Sequence, residues 1–321
     1  MSTHQPVLDA IDPEIVDTLV SRRDAIAQGA KVGSAVTAAL ALGSIPVTLA
    51  TLASTAYAQT PAIVVQVLQY AFLLENLESE FYKAVLGTSA STAVNNAFAT
   101  VRGKLTAVDR ATFAQISKHE VAHVALLRQA LGTAAPNYTA ASFDFTGGQG
   151  SGTGPIAPAT QDRDFLLLAT QVFEDTGVRA YKGQAGNLFA SPSVLTQALQ
   201  IHSVEARHAA RVRRMRRLTS AGVTDVVRYS GTIRGGGAAA AGAVGTVPAA
   251  VASAANAIYG GATPESNTTH LGADATAVAG SFGGVNATTE AFDEPLTAPE
   301  VVAIVSPFIV AGTQLPTFPS T

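Results

Sequence analysis

The chain has 321 residues, of which 47% are hydrophobic and 13% charged, with a formal net charge of −3. That is enough apolar material for one or two packed domains, and it carries no global charge signature of a nucleic-acid or anionic-membrane partner. Cysteine is absent, which excludes disulfides, thiolate zinc sites, iron–sulfur clusters and a cysteine nucleophile, so any metal must be held by His and carboxylate groups.

The N-terminal segment has the character of an address. Arg22 and Arg23 precede a mildly apolar Ala/Thr/Ser-rich run from Ala30 to Ala58, which Pro46 interrupts and which ends in Ala56-Tyr57-Ala58. A basic start, an apolar middle and a small-x-small end predict a cleavable export signal over residues 1–58, cut near Ala58. The paired arginines resemble the twin-arginine class. The run is long enough for a membrane anchor, but its modest hydrophobicity favours cleavage over stable insertion. The mature protein is then periplasmic or extracellular.

Four helical signals follow. The first opens after Pro61 and stops at Gly87, with Val67, Ala71, Leu74, Glu78 and Phe81 on one face. The second runs from near Asp109 to Gly132, with Phe113, Ile116, Glu120, His123 and Leu127 in line. The third starts near Asp162 and ends at Gly183, with Leu167, Thr170, Glu174, Gly177 and Tyr181 as its stripe. The fourth begins with Ser191 as N-cap and Pro192 as first residue, and aligns Leu195, Ile201, Glu205, His208 and Val212. Each helix thus places a carboxylate on its core-facing side. Burying four unpaired carboxylates is untenable, because each costs several kcal/mol, on the order of what a whole domain has to spare. Two divalent cations would balance them and leave two neutral imidazoles as further ligands.

The helices also repeat in pairs. Setting Glu78 against Glu174 matches Gly87 with Gly183, and setting Glu120 against Glu205 matches His123 with His208. The pattern is a lone Glu followed by Glu-x-x-His, twice. With 11 Glu and 6 His in the chain, chance gives roughly 0.2 Glu-x-x-His matches, so two core-facing copies are a strong signal. Glu75 is a rival to Glu78 on the first helix, either as the ligand or just behind it; stripe phase and the match to Glu174 favour Glu78. The long Gly/Ser/Thr/Pro-rich stretch Thr133–Gln161 can span a helix, which predicts parallel second and third helices in a single-crossover bundle.

The constellation Glu78, Glu120-x-x-His123, Glu174, Glu205-x-x-His208 resembles the ferritin-like di-iron and di-manganese carboxylate superfamily. The words LENLESEFY, HEVAHVALLRQALG, FEDTGVRAY and VEARHAA resemble its secreted branch, which includes desiccation-related proteins. The resemblance implies an all-α four-helix bundle and two iron or two manganese ions. It also implies Glu120 and Glu205 as bridging ligands, Glu78 and Glu174 as terminal carboxylates, and one His per metal. Among the activities it implies are catalase-like or ferroxidase-like chemistry on hydrogen peroxide or dioxygen, or a metal-binding structural role in desiccation stress.

Five side chains near this level invite weaker assignments. His202 could donate to a ligand or be a half-exposed polar residue, and His119 points away from Glu120 toward the surface or the ligands' outer side. Tyr82 fits a packing residue with a hydrogen bond, as does Tyr181. Asp175 could orient a His or form an interhelical ion pair. Six arginines between Arg207 and Arg217 suit ion pairing or a contact in a homo-oligomer better than nucleic acid. The expected domains are the signal (1–58), the bundle (59–222) and an irregular Ala/Gly-rich extension (223–321) wrapping it. Within that extension a short helix is expected around 248–259, and a terminal helix capped by Thr297.

Overall fold

The computed structural model describes residues 61–219, 257–279 and 284–317. The expected export signal, and most of the expected helix at 248–259, lie outside the described residues. Within them the protein is all-α. Four long helices, α1 (Ala62–Leu86), α4 (Ala107–Leu131), α5 (Arg163–Gln184) and α6 (Pro192–Thr219), form a bundle. Short helices α2 (Thr92–Ala97) and α3 (Ala99–Lys104) occupy the link between α1 and α4. None of the described helices is long and apolar enough to cross a membrane.

Local chemistry sets the helix ends. Helix α1 stops at Gly87, whose left-handed φ of 78° lets its amide and that of Thr88 cap the last turn. Helix α4 starts two residues earlier than the Asp109 expected, because Thr106 is the N-cap and Asp109 closes a capping box with it. Asp162 caps α5 through the Phe165 amide at 2.8 Å. Gly183, expected to end α5, lies inside it. Its role is close approach, since a Cβ there would sit 1.8 Å from the Leu296 carbonyl oxygen.

Side-chain pairs fix the directions of the helices. Gln69 near the start of α1 donates to the Ala134 carbonyl just past the end of α4 at 2.8 Å, so these helices are antiparallel. Arg216 near the end of α6 donates to Gln171 in the first half of α5 at 2.6 Å, making the second pair antiparallel as well. Arg163, the first residue of α5, grips Asp109 in the first turn of α4 at 2.6 and 2.7 Å. Two helix starts held together run parallel, so the segment between α4 and α5 must return along the bundle as the single-crossover topology requires.

That returning segment is packed. Phe145 joins Phe81 of α1, Phe98 at the α2/α3 hinge and Phe173 of α5 in an aromatic cluster, with ring centroids 5.0–5.9 Å from Phe81. Asp144 gathers the following turn by accepting from the amides of Thr146, Gly150 and Gly152. The C-terminal helix α9 (Ala298–Val305) begins at Thr297 in a capping box with Glu300, and the chain after it pairs with the crossover through Phe143 and Ile309. A two-stranded hairpin, β1 (Thr269–His270) with β2 (Ala273–Asp274), precedes the short helices α7 (Ala275–Ala279) and α8 (Gly284–Glu290).

Residues 258–265 and 293–296 lie along α5. The fully buried Arg179 donates to the carbonyls of Ile258, Gly260, Thr263, Glu294 and Pro295 and pairs with Glu265 at 3.0 Å. In return the Leu296 amide donates to the Arg179 carbonyl at 3.1 Å. Helices α1 and α5 are therefore buried on nearly every face, unlike a helix with one solvent side.

Two variants test these ends. Asp109→Ala removes both a capping box and the partner of Arg163, and should destabilise the protein by about 2 kcal/mol or more in urea unfolding. The Asp109 carboxyl, held below its usual range by Arg163 and Thr106 against the opposing effect of burial, contributes stability above its unfolded pKa of about 3.9 that vanishes as pH falls through the folded value. Gly183→Ala should speed hydrogen exchange at the Leu296 amide while leaving the four-helix signal intact; unchanged exchange would mean that the approach at Gly183 is not tight.

Candidate metal centre

At mid-bundle the ionisable side chains form two overlapping groups. Glu75, Glu120, His123 and Glu205 make one, and Glu120, Glu174, Glu205 and His208 the other; within each group the candidate ligand atoms lie within 4.8 Å of one another. All six residues are buried, and Glu120, Glu174 and Glu205 have no exposed surface.

Glu120 and Glu205 belong to both groups. Nδ1 of His123 lies 3.0 Å from Glu75, 3.3 Å from Glu120 Oε2 and 3.3 Å from Glu205 Oε1. Nδ1 of His208 lies 3.1 Å from Glu120 Oε1, 3.2 Å from Glu174 and 3.9 Å from Glu205 Oε2. Each shared carboxylate turns one oxygen to each histidine. A single N–H cannot satisfy three oxygens, and Glu120 Oε1 with both Glu205 oxygens makes no well-directed hydrogen bond. Oxygens and imidazole nitrogens that converge on two points without pairing off fit two cations, each with one His, one terminal carboxylate and a share of two bridging ones.

The position of Glu78 departs from expectation. The first group takes its terminal carboxylate from Glu75, while Glu78 points toward Glu205 and Gly177. Stripe phase could not separate the two, since α1 is buried all round. The better signal lies seven residues on. Tyr82 follows Glu75 by the same interval as Tyr181 follows Glu174. The hydroxyls cross over: Tyr82 donates to Glu174, and Tyr181 to Glu75 at 2.6 Å. The internal repeat is thus displaced by three residues from the Glu78–Glu174 match, and Glu78 falls opposite Gly177. A Cβ at Gly177 would meet Glu205 Oε2 at 3.2 Å and Glu78 Oε1 at 3.4 Å, so the missing side chain makes room for a fifth carboxylate on one side only.

The electrostatics follow from this crowding. Burial, then Glu205 and Glu174, raise the Glu78 carboxyl well above its usual range, so Glu78 holds a proton. Burial and the neighbouring Glu120 do the same to Glu205. Glu120 is raised to about 7 by burial and Glu75. Burial also pushes Glu75 upward, but the His123 cation and the hydrogen bonds around it hold it below the ordinary value. Burial disfavours both imidazolium ions, yet the carboxylates outweigh it, raising His123 strongly and His208 to about 11. Two dications would replace the two imidazolium protons and those on Glu120 and Glu205. Four ionised carboxylates and a neutral Glu78 then balance the charge.

The remaining candidates separate. His119 faces outward as expected of a helix neighbour of Glu120, but its Nδ1 meets Nε2 of His208 at 2.8 Å and its other nitrogen meets Gln115. It thereby fixes the ring that presents Nδ1 to the cluster. His202 is half-buried and outside both groups, its Nε2 without a partner. Asp175 forms an interhelical ion pair with Arg213 and accepts from Tyr259 at 2.6 Å. His270 stacks on Phe292, away from the cluster.

A family model described as a ferritin-like domain matches residues 63–217, the stretch that holds the four long helices and every residue of both groups. These residues form a ferritin-like domain. No curated protein and no solved structure matches the chain. The ferritin-like assignment and the buried Glu/His cluster together make a centre that could bind metal.

Protonation gives a test of the metal-free domain. The unfolded Glu120 loses its proton near 4.5 and the folded one near 7; unfolded His208 loses its own near 6.5 and the folded one near 11. In both windows the folded state holds more protons, so stability falls as pH rises. The melting temperature of metal-stripped protein should drop between about pH 5 and pH 9, an interval that lies inside the combined span of the two windows. Stabilisation by added metal should grow over the same interval, because binding displaces protons. A metal-stripped protein that gains stability across that interval would contradict this ionisation pattern.

Proposed function

We propose that the ferritin-like domain holds two iron or two manganese ions and carries out redox chemistry on hydrogen peroxide or dioxygen, in the manner of a catalase or a ferroxidase. The observation that carries this reading is the pair of groups sharing Glu120 and Glu205. Glu75 and Glu174 supply the terminal carboxylates, and His123 and His208 the nitrogens. When bound, such ions supply valence change and Lewis acidity toward an oxygen substrate.

The chain's own residues contribute orientation, exclusion and a proton. The crossed bonds from Tyr82 and Tyr181 hold the two terminal carboxylates, and both phenols stay protonated because burial and the adjacent carboxylates raise them. The His119 contact fixes His208. Glu78 keeps a proton on its carboxyl beside Glu205, where it can be passed to a developing basic oxygen. The cavity that reaches Glu78, between Leu74, Leu77, Phe173 and Val305, has only about 10 Å³ of room, about enough for one water-sized molecule. A space of that size shuts out larger substrates.

The same tight burial also favours a second reading, in which the ions stabilise a desiccation-stress protein without turnover. Export as a twin-arginine substrate belongs to both readings, because that route carries folded proteins and would let the metal be loaded first.

Metal analysis of purified full-length protein distinguishes them. Two metal ions per chain are expected, with oxygen evolution from peroxide for a catalase-type centre or Fe(II) oxidation for a ferroxidase-type one; two ions without either activity support the structural role. Glu120→Ala or His208→Ala should lose metal and thermal stability together. Glu75→Ala should cost more metal than Glu78→Ala, and the reverse result would restore Glu78 as the terminal ligand.

A further inference from the structure

The arginines at the end of α6 divide by direction. Arg213 and Arg216 turn inward to Asp175 and Gln171 of α5 at 2.7 and 2.6 Å. Arg207 and Arg211 turn the other way, toward α4, and are exposed. Neither has an ion-pair partner among the described residues; Arg211 only leans on the Thr112 hydroxyl at 3.1 and 3.3 Å. Between them and α4 lies a groove of about 520 Å³, within the range of small-molecule sites of about 300–1,000 Å³.

The groove has two chemically different walls. Arg207 and Arg211 stand one turn apart on α6, so their guanidinium groups can close on one anionic head. Val108, Ala111 and Ile116 of α4 supply an apolar wall, and Val108 is 57% exposed. No carboxylate lines the groove. Its floor is the contact between His119 and His208, so it backs onto the ring that serves the metal centre without opening on the carboxylates.

We propose that this groove binds a small amphiphilic organic anion, its carboxylate or phosphate head held by Arg207 and Arg211 and its apolar part laid on Val108, Ala111 and Ile116. An inorganic oxyanion would use the arginines and leave the apolar wall wet. A neutral hydrocarbon would leave two cations unpaired.

Calorimetric titration of the full-length protein tests this with three probes: octanoate, octanol and inorganic phosphate. Octanoate should bind saturably at one site, at least tenfold more tightly than either of the others. Arg207→Gln/Arg211→Gln should weaken octanoate at least tenfold with the helical signal unchanged, since both side chains are exposed. Val108→Asp, which alters only the opposite wall, should weaken it as well and guards against a double variant that fails to fold. Absence of saturable octanoate binding, equal affinity in the glutamine variant, or phosphate binding as tight as octanoate would each overturn the proposal. The titration is run on metal-loaded and metal-stripped protein, so failure of the groove is read separately from failure of the metal centre.

Discussion

Seven ionisable side chains share the middle of this bundle: Glu75, Glu78, Glu120, Glu174, Glu205, His123 and His208, all removed from water. An isolated buried carboxylate costs several kcal/mol, on the order of the net stability of a whole domain, so no apolar shell of this size tolerates five of them uncompensated. Compensation is built outward in layers. The imidazoles face the shared carboxylates, the crossed tyrosines hold the terminal ones, and His119 holds His208 from behind. Around these sit Phe81, Phe98, Phe145 and Phe173, whose edge-to-face packing closes the surrounding core.

The same demand explains why α1 and α5 are covered on their outer sides. A four-helix bundle normally leaves one face of each helix in water. Here the α1–α4 link, the crossover and the C-terminal segment add a second layer, so a polar centre lies beneath apolar cover on several sides. The chain at residues 258–265 and 293–296 has few apolar side chains to pack. It is held by its own carbonyl groups, five of them on the Arg179 guanidinium. Backbone polarity does the work that side-chain hydrophobicity does elsewhere.

Much of this was legible in the sequence. Helix starts at Ala62, Arg163 and Pro192 follow Pro and cap signals, and the Thr297 cap behaves as read. The Glu-x-x-His pairs locate both histidines and both shared carboxylates, because α4 and α6 each keep a solvent side and so a readable stripe. Periodicity fails on α1, where Glu75 and Glu78 are equally buried and the stripe carries no information. There the tyrosine spacing, a property of two helices taken together, separates them. Gly183 misled for a related reason: glycine marks helix ends and close approaches alike, and only the Leu296 carbonyl tells which. Short helices α2 and α3 leave no signal in the sequence, because each is six residues long and has no stripe of its own.

Arg179 also imposes an order on the chain's assembly. Its side chain sits on α5 but its partners lie about 80 to 116 residues further on, and contacts of such separation form late because the intervening loop must first be closed. During synthesis the four helices leave the ribosome before the segment that covers them, and until it docks the guanidinium stands in water on an open groove of α5. The cover is thus a latch that closes over a bundle already formed. For a domain whose buried centre could bind metal, the interval before closure is when the outer face of α5 is still accessible.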